Sequence, residues 1–164
     1  MKTKPGVWIG LALLTLVAVA ARAADVEEQI QKYFELAASG KDEAAAKKLG
    51  DSILADAAKD ANQLNDFAWK ILTEEGLKYR DMELAMRVAK AAFDLCEGKE
   101  AHIVDTYARA LFDTGKVADA LKFQKKAVEL CQDENMRPEL EETLKRYEKK
   151  ASESAKKPGE DEKK

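Results

Sequence analysis

The chain has 164 residues, of which 46% are hydrophobic and 36% charged, and its 8 glycines and 3 prolines are few. This composition favours one all-helical domain over a sheet protein. The formal net charge is −3 at pH 7, and basic residues alternate with acidic ones without forming a basic patch, which argues against a nucleic-acid partner.

Residues 1–23 have the pattern of a secretory signal peptide. Lys2 and Lys4 precede an apolar run over 7–20, and the small-residue site Ala21-Arg22-Ala23 follows it. An uncleaved membrane anchor is the alternative, but the run is shorter than the roughly 20 residues that span a bilayer core. Cleavage after Ala23 predicts a periplasmic or secreted protein without a stable membrane span and with a net charge of −6.

Residues 24–60 are predicted to form an N-terminal helical hairpin. Apolar residues at helical spacing predict a helix over 25–38, which Gly40 ends. Asp42 is positioned to cap the second helix. The apolar stripe of this second helix is predicted to contain Ala45, Leu49, Ile53 and Leu54.

Two further hairpins, over 61–100 and 101–133, are predicted to repeat each other with a period of 35 residues. The period superimposes Ala85, Lys90, Ala92, Leu95 and Cys96 on Ala120, Lys125, Ala127, Leu130 and Cys131. A fixed period of this length is typical of stacked units that bury their apolar faces against one another.

The two repeats differ in the loop between their helices. In the later repeat, helices over 101–112 and 117–130 are predicted to flank a short turn at Gly115. In the earlier one, Gly76 ends the first helix early and Asp81 caps the return helix, so a longer loop is predicted between them.

The C-terminal part is predicted to be a capping helix over 134–151 and a disordered tail over 152–164. Pro138 suits a first helical turn, and a terminal helix with a polar outer face closes a stacked array. The tail is rich in Ser, Lys and Glu and lacks large apolar residues. The predicted fold class is therefore all-α, a short right-handed solenoid of about three antiparallel helix pairs with a capping helix.

Residues 101–132 resemble the tetratricopeptide repeat. Counted from Ala101, the family's small residues at positions 8, 20 and 27 fall on Ala108, Ala120 and Ala127. Its large residues at positions 4, 7, 11 and 30 fall on Val104, Tyr107, Leu111 and Leu130, whereas position 24 is Gln124 instead of the usual aromatic.

Residues 66–100 look like a weaker copy of the same repeat when they are counted from Asp66. Trp69 then stands at position 4, and the copy departs from the family at Thr73, Gly76 and Arg80. The segments 65–69, 105–111 and 124–130 are also similar to helical modules that accompany thioredoxin-like domains in exported bacterial proteins. The chain has no Cys-x-x-Cys motif, so this similarity does not imply redox activity.

The tetratricopeptide resemblance implies a binding surface. In this family the concave face is lined by positions 2, 5, 9, 12 and 13 of the first helix of each pair. These positions fall on Phe67, Lys70, Glu74, Leu77 and Lys78, and on His102, Asp105, Arg109, Phe112 and Asp113. The resemblance thus implies a non-enzymatic protein-protein interaction module or scaffold, which binds an unidentified peptide or partner helix.

No catalytic, cofactor or metal site is predicted. His102 is the only histidine, and no second ligand lies at a metal-binding spacing from it. Trp69 is predicted to pack in the core between helices. The chain is expected to be a monomer or a weak homo-oligomer.

Cys96 and Cys131 fall at equivalent positions of neighbouring repeats. Parallel helices lie about 8–10 Å apart, beyond the reach of a disulfide, so a bridge between them is not favoured. A bridge between closely spaced helix ends, or between two molecules, stays open. The alternative function is an accessory role in extracytoplasmic thiol-disulfide chemistry through Cys96 or Cys131.

Overall fold

The computed structural model describes residues 25–57 and 59–155, and within these residues the protein consists of seven α-helices and no strands. The predicted all-α class is confirmed. The helices are α1 (25–39), α2 (Glu43–Asp56), α3 (Ala61–Thr73), α4 (Met82–Leu95), α5 (Ala101–Asp113), α6 (Val117–Leu130) and α7 (Arg137–Ala155). None of the helices in the described part is long and apolar enough to cross a membrane, and the predicted signal peptide lies outside that part.

Neighbouring helices along the chain pack against one another from α3 to α7. In addition, α3 contacts α5 and α2 contacts α4. The short connection over 114–116 makes α5 and α6 an antiparallel pair. At the other end, Tyr33 of α1 meets Phe67 of α3 edge to face, with ring centroids 5.1 Å apart. A contiguous apolar core therefore extends from α1 to α7.

Aspartate side chains cap helices as the sequence predicts. Asp42 Oδ1 accepts a hydrogen bond from the Ala45 backbone N–H at 2.8 Å, and Asp81 Oδ1 accepts one from the Leu84 N–H at 2.8 Å. Each bond satisfies a donor that the first helical turn leaves unpaired. The predicted caps of α2 and α4 are confirmed.

The buried face of α2 differs from the prediction. It is centred on Ala46, Gly50 and the predicted Ile53, and the predicted Ala45, Leu49 and Leu54 lie beside it, half-buried. A Cβ on Gly50 would lie 2.3 Å from Leu84 Cδ2 and 3.2 Å from Tyr33 Cε2. The smallest residues therefore face the neighbouring helices, because they allow α2 to approach α1 and α4 closely.

The first helices of the two repeats are related by 40 residues and not by 35. The buried positions of α3 match those of α5 with this offset: Leu64, Phe67, Ala68 and Ile71 correspond to Val104, Tyr107, Ala108 and Leu111. The second helices keep the 35-residue offset, which pairs Ala85, Ala89 and Ala92 with Ala120, Gln124 and Ala127. The difference lies in the connections, since residues 74–81 join α3 to α4 but only 114–116 join α5 to α6.

This offset corrects two predictions. Trp69 was placed in the core by a single 35-residue period, yet its side chain is on the surface and 37% exposed. Phe67 was assigned to the concave surface, yet it is 1% exposed and packs against Tyr33 and Phe34. Both assignments are wrong because the extra loop residues shift the helical face of α3 relative to that of α5.

The longer α3–α4 loop is held against the ends of two helices. The backbone N–H groups of Lys78 and Tyr79 donate to the Ala37 carbonyl at 3.1 and 3.0 Å. The Arg80 guanidinium donates to the carbonyl oxygens of Ile71 and Glu74, which are orphan acceptors at the end of α3. Arg80 is therefore a C-terminal cap and does not occupy the place of a turn glycine.

The last helix, α7, continues past the predicted boundary at residue 151. It begins at Arg137, ends at Ala155, and includes Ser152, whose Oγ–H donates to the Lys149 carbonyl at 2.8 Å. No glycine or proline interrupts the chain before Pro158, so nothing in 152–155 breaks the helix. The remainder of the predicted tail, 156–164, lies outside the described residues.

The register of α3 predicts losses of stability of different size at two neighbouring aromatic residues. Phe67→Ala should lower the free energy of unfolding by about 3–5 kcal/mol, because it leaves a cavity beside Tyr33 and Phe34. Trp69→Ala should lower it by a smaller amount, because 37% of the Trp69 surface stays in contact with water. Urea unfolding followed by circular dichroism measures both, and a larger loss for Trp69→Ala would contradict this register.

Candidate functional site

A cleft with a volume of about 230 Å³ lies between α3, α5 and the start of α7. We call it the α3–α5–α7 cleft, and it is lined by Asn65, Asp66, Trp69, His102, Asp105, Thr106, Met136, Glu139 and Leu140. Pockets for drug-sized ligands usually measure about 300–1,000 Å³. The volume therefore suits one side chain of a larger partner better than a complete cofactor.

The 40-residue offset explains which side chains meet in the cleft. Asn65 of α3 corresponds to Asp105 of α5, and Asp66 corresponds to Thr106. Because α3 packs against α5, equivalent faces of the two helices lie side by side. A hydrogen bond also joins their first turns, since His102 Nε2 lies 3.0 Å from Asn62 Oδ1.

A buried amide supports the side of the cleft formed by α5 and α7. Gln124 of α6 has no exposed surface, and its Nε2–H₂ group donates to Asp105 Oδ1 at 2.8 Å and to the Leu140 carbonyl at 3.2 Å. One side chain therefore connects three helices. A phenylalanine ring at this position could make neither bond, because it has no donor.

The Asp105 carboxylate lies in an unfavourable electrostatic setting. Burial raises the pKa of this carboxyl group, and the negative charge of Glu139 raises it further. The hydrogen bond from Gln124 and the positive charges of Arg109 and Arg146 act in the opposite direction. The carboxylate is thus only partly compensated by its surroundings.

Asn65 contributes a buried amide to the opposite side of the cleft. Its residue is 6% exposed, and its Nδ2–H₂ group donates to Asp66 Oδ1 at 3.3 Å. Its Oδ1 atom accepts no hydrogen bond from the described residues. Buried polar atoms are nearly always paired in folded proteins, so this acceptor and the likewise unpaired Oε1 of Gln124 leave the polar network around the cleft incomplete.

Part of the cleft wall is apolar. Trp69 exposes 37% of its surface, although large aromatic residues are mostly buried. Met136 and Leu140 line the same cleft from the α7 side. An aromatic surface beside buried polar groups is the usual composition of a protein recognition site.

Two of the residues assigned to the concave surface, His102 and Asp105, line the cleft. Three others, Phe67, Lys70 and Glu74, do not, because the offset of α3 moves them elsewhere. Phe67 lies in the core, and the Lys70 Nζ lies 4.7 Å from the ring centroid of Phe34. Glu74 is the C-cap residue that follows α3.

Of the remaining five predicted residues, Leu77 and Lys78 lie in the α3–α4 loop, and the other three form a separate group near the end of α5. Arg109 Nε–H donates to Asp113 Oδ2 at 2.6 Å on the same helix. Phe112 stacks on Tyr147 of α7, with ring centroids 4.1 Å apart and an interplanar angle of 10°. Arg109 and Asp113 therefore pair with each other, while Phe112 mainly attaches α7 to α5.

Several residues of the cleft were missed by the sequence reasoning, chiefly Asn65, Asp66, Met136 and Glu139. A signal for the first two existed. The spacing Leu64-x-x-Phe67-Ala68 matches Val104-x-x-Tyr107-Ala108 and would have aligned α3 with α5 correctly. Met136 and Glu139 carried no such signal, because only packing brings the start of α7 to the cleft.

Both cysteines are free thiols in the structure. Cys96 is half-buried and its Sγ–H donates to the Phe93 carbonyl at 3.4 Å, whereas Cys131 is 2% exposed and donates to the Asp133 carbonyl at 3.3 Å. Among residues 25–57 and 59–155, no group of three or more His, Cys, Asp or Glu side chains is placed to hold a metal ion.

Comparison with known proteins finds no matching family model, no similar curated protein and no similar solved structure. The interpretation of the cleft therefore depends on the chemistry and geometry of its own residues.

The position of Asp105 predicts a pH-dependent gain from removing its charge. Its folded-state pKa is raised above the ordinary 3.8, so the folded protein binds this proton more tightly than the unfolded chain does. The folded protein therefore loses stability as pH rises from 3.8 through the raised pKa. Asp105→Asn, which keeps the acceptor for Gln124, should therefore raise the melting temperature at pH 7. The gain should disappear below pH 3.8.

An exposed aspartate, whose charge is expected to stabilise the fold, provides the control for this pH series. Asp119 is exposed in the first turn of α6, where a negative charge is stabilising, so Asp119→Asn should lower the melting temperature at pH 7. Calorimetry between pH 3 and pH 7 measures both variants. A gain for Asp105→Asn that is the same at every pH would count against a strained carboxylate.

The two thiols should differ in reactivity. A Cys131→Ser chain, which retains half-buried Cys96, should react with a thiol reagent at least about tenfold faster than a Cys96→Ser chain, which retains buried Cys131. Labelling of each native protein near neutral pH measures the rates, and denatured samples are the control. Rapid labelling of native Cys131 would contradict its burial and favour the thiol-chemistry alternative.

Proposed function

We propose that this protein is an exported, non-enzymatic tetratricopeptide-type module that binds a peptide or a partner helix in the α3–α5–α7 cleft. One observation carries the proposal. The exposed Trp69 and the buried Asn65, whose Oδ1 accepts no hydrogen bond within the described part of the chain, line the same cleft. An aromatic surface next to a buried, unsatisfied acceptor has more to gain from a partner than from water.

The packing of the helices supports a short solenoid of helix pairs. Helices that contact both their chain neighbours and the next but one, as α3 contacts α4 and α5, are expected in such an array. With the 40-residue offset, the family's small residue at position 8 becomes Ala68 in α3, as it is Ala108 in α5. The earlier repeat then resembles the family better than the sequence period alone suggests.

The same offset revises the residues proposed for the concave face. Positions 2, 5 and 9 of the earlier repeat become Asn62, Asn65 and Trp69, next to His102, Asp105 and Arg109 of the later one. Four of these six residues line the cleft. The family's usual binding face and the cleft therefore largely coincide, which supports binding of an extended segment there.

The thiol-chemistry alternative gains no support from the positions of the cysteines. Both Sγ–H groups donate to nearby carbonyl oxygens, and Cys131 is buried. Reactive cysteines are typically exposed in electropositive surroundings.

Site-specific photocrosslinking tests the proposed binding face. A photoreactive phenylalanine analogue replaces Trp69 in one variant and Leu95 in the other, in cells that export the protein. Leu95 is the matched control, because it is 43% exposed on α4 and does not line the cleft. Position 69 should form discrete adducts with a partner that mass spectrometry identifies, and position 95 should not.

Two results of this experiment would refute the proposed face. Identical adducts at both positions would indicate nonspecific contact, and a lack of adducts at position 69 would leave the cleft without a partner. Circular dichroism of both variants verifies that they are folded before the adducts are compared.

A further inference from the structure

Carboxylates dominate the charge around the α3–α5–α7 cleft. Asp66, Asp105 and Glu139 line it, and His102 is the only basic residue among the described residues that line it. The positive charges of Arg109 and Arg146 act on Asp105, but neither residue lines the cleft, and Arg109 donates to Asp113. The residues that line the cleft therefore present more negative than positive charge to a ligand.

Burial strengthens the effect of this charge. Asp105 is half-buried and receives one hydrogen bond, from Gln124, while Glu139 lies close enough to repel it. A carboxylate that has lost part of its hydration gains more from an incoming cation than a fully hydrated one does. An anionic ligand would meet the same groups with repulsion.

The other groups of the cleft suit a cation on an apolar stem. The exposed Trp69 indole offers an aromatic face, to which ammonium and guanidinium groups are attracted. Asn65 Oδ1 is an unpaired buried acceptor, and a cationic N–H is its natural donor. Met136 and Leu140 supply apolar surface for methylene groups.

Building on the proposed function, we propose that the cleft selects partners through one lysine or arginine side chain. The apolar stem of this side chain lies against Trp69 and Met136. Its charged head group lies between Asp105 and Asn65. The volume of about 230 Å³ accommodates one such side chain, so the rest of the partner segment contacts the rim.

A random heptapeptide library displayed on phage and selected on the immobilised full-length protein tests this specificity. Selected sequences should share lysine or arginine at one fixed position. A selected peptide is then synthesised with lysine, arginine, norleucine or glutamate at that position, and fluorescence anisotropy gives each dissociation constant. The norleucine peptide keeps the stem without the charge and should bind at least about tenfold more weakly than the lysine peptide.

Matched protein variants assign the effect to the cleft. Asp105→Asn, which preserves the shape and the acceptor for Gln124, should weaken the lysine peptide about tenfold and leave the norleucine peptide unchanged. Glu83→Gln is the control, since it removes an equal charge from an exposed site on α4 and should alter neither affinity. Raising the salt concentration should weaken only the cationic peptides.

The outcomes separate this specificity from the proposed function. If Trp69→Ala abolishes binding of the selected peptides but their affinity does not depend on the cation or on Asp105, the specificity is wrong and the binding face stands. Enrichment of acidic peptides also overturns the specificity. If the library yields no peptide whose binding depends on Trp69, both the specificity and the proposed peptide-binding face fail.

Discussion

The packing of α3 against α5 is the constraint on which the rest of the structure depends. The buried side of this pair, with Phe67 on α3 and Tyr107 on α5, belongs to the common core. The opposite side carries Asn65 and Asp105 into the cleft. Because a helix turns by about 100° per residue, a shift of one residue in α3 would move both sets together. Core and candidate site thus share one geometric origin.

The Gln124 amide extends this arrangement to a third helix of the cleft. It donates to Asp105 and to the Leu140 carbonyl, and so joins α5 to α7 through α6. Buried polar networks of this kind orient their members more strictly than apolar packing does. Here the orientation leaves a carboxylate half-hydrated beside an aromatic surface, a combination that is costly in the free protein and favourable for a complementary ligand.

Sequence reasoning was accurate wherever the deciding contacts are local. The caps at Asp42 and Asp81 bond to backbone groups three residues away, so the pattern of neighbouring residues suffices to find them. His102 and Asp105, which the repeat pattern assigns to the concave face, both line the cleft, while their role in binding stays a prediction. The predicted environments of Phe67 and Trp69 were reversed. Extra residues in the α3–α4 loop change the phase of α3 relative to the repeat period without altering its own amphipathic pattern.

The sequence by itself determined the all-helical class, the caps at Asp42 and Asp81 and the equivalence of α4 and α6, because helix propensity, capping and apolar spacing act over one or two turns. Only the tertiary structure decided which face of α3 lies beside α5 and which face of α2, the one with Gly50, lies against α4. It also decided that Met136 and Glu139 reach the cleft. These features depend on contacts between residues far apart in the chain, whose relative phase is set by loop length and close packing.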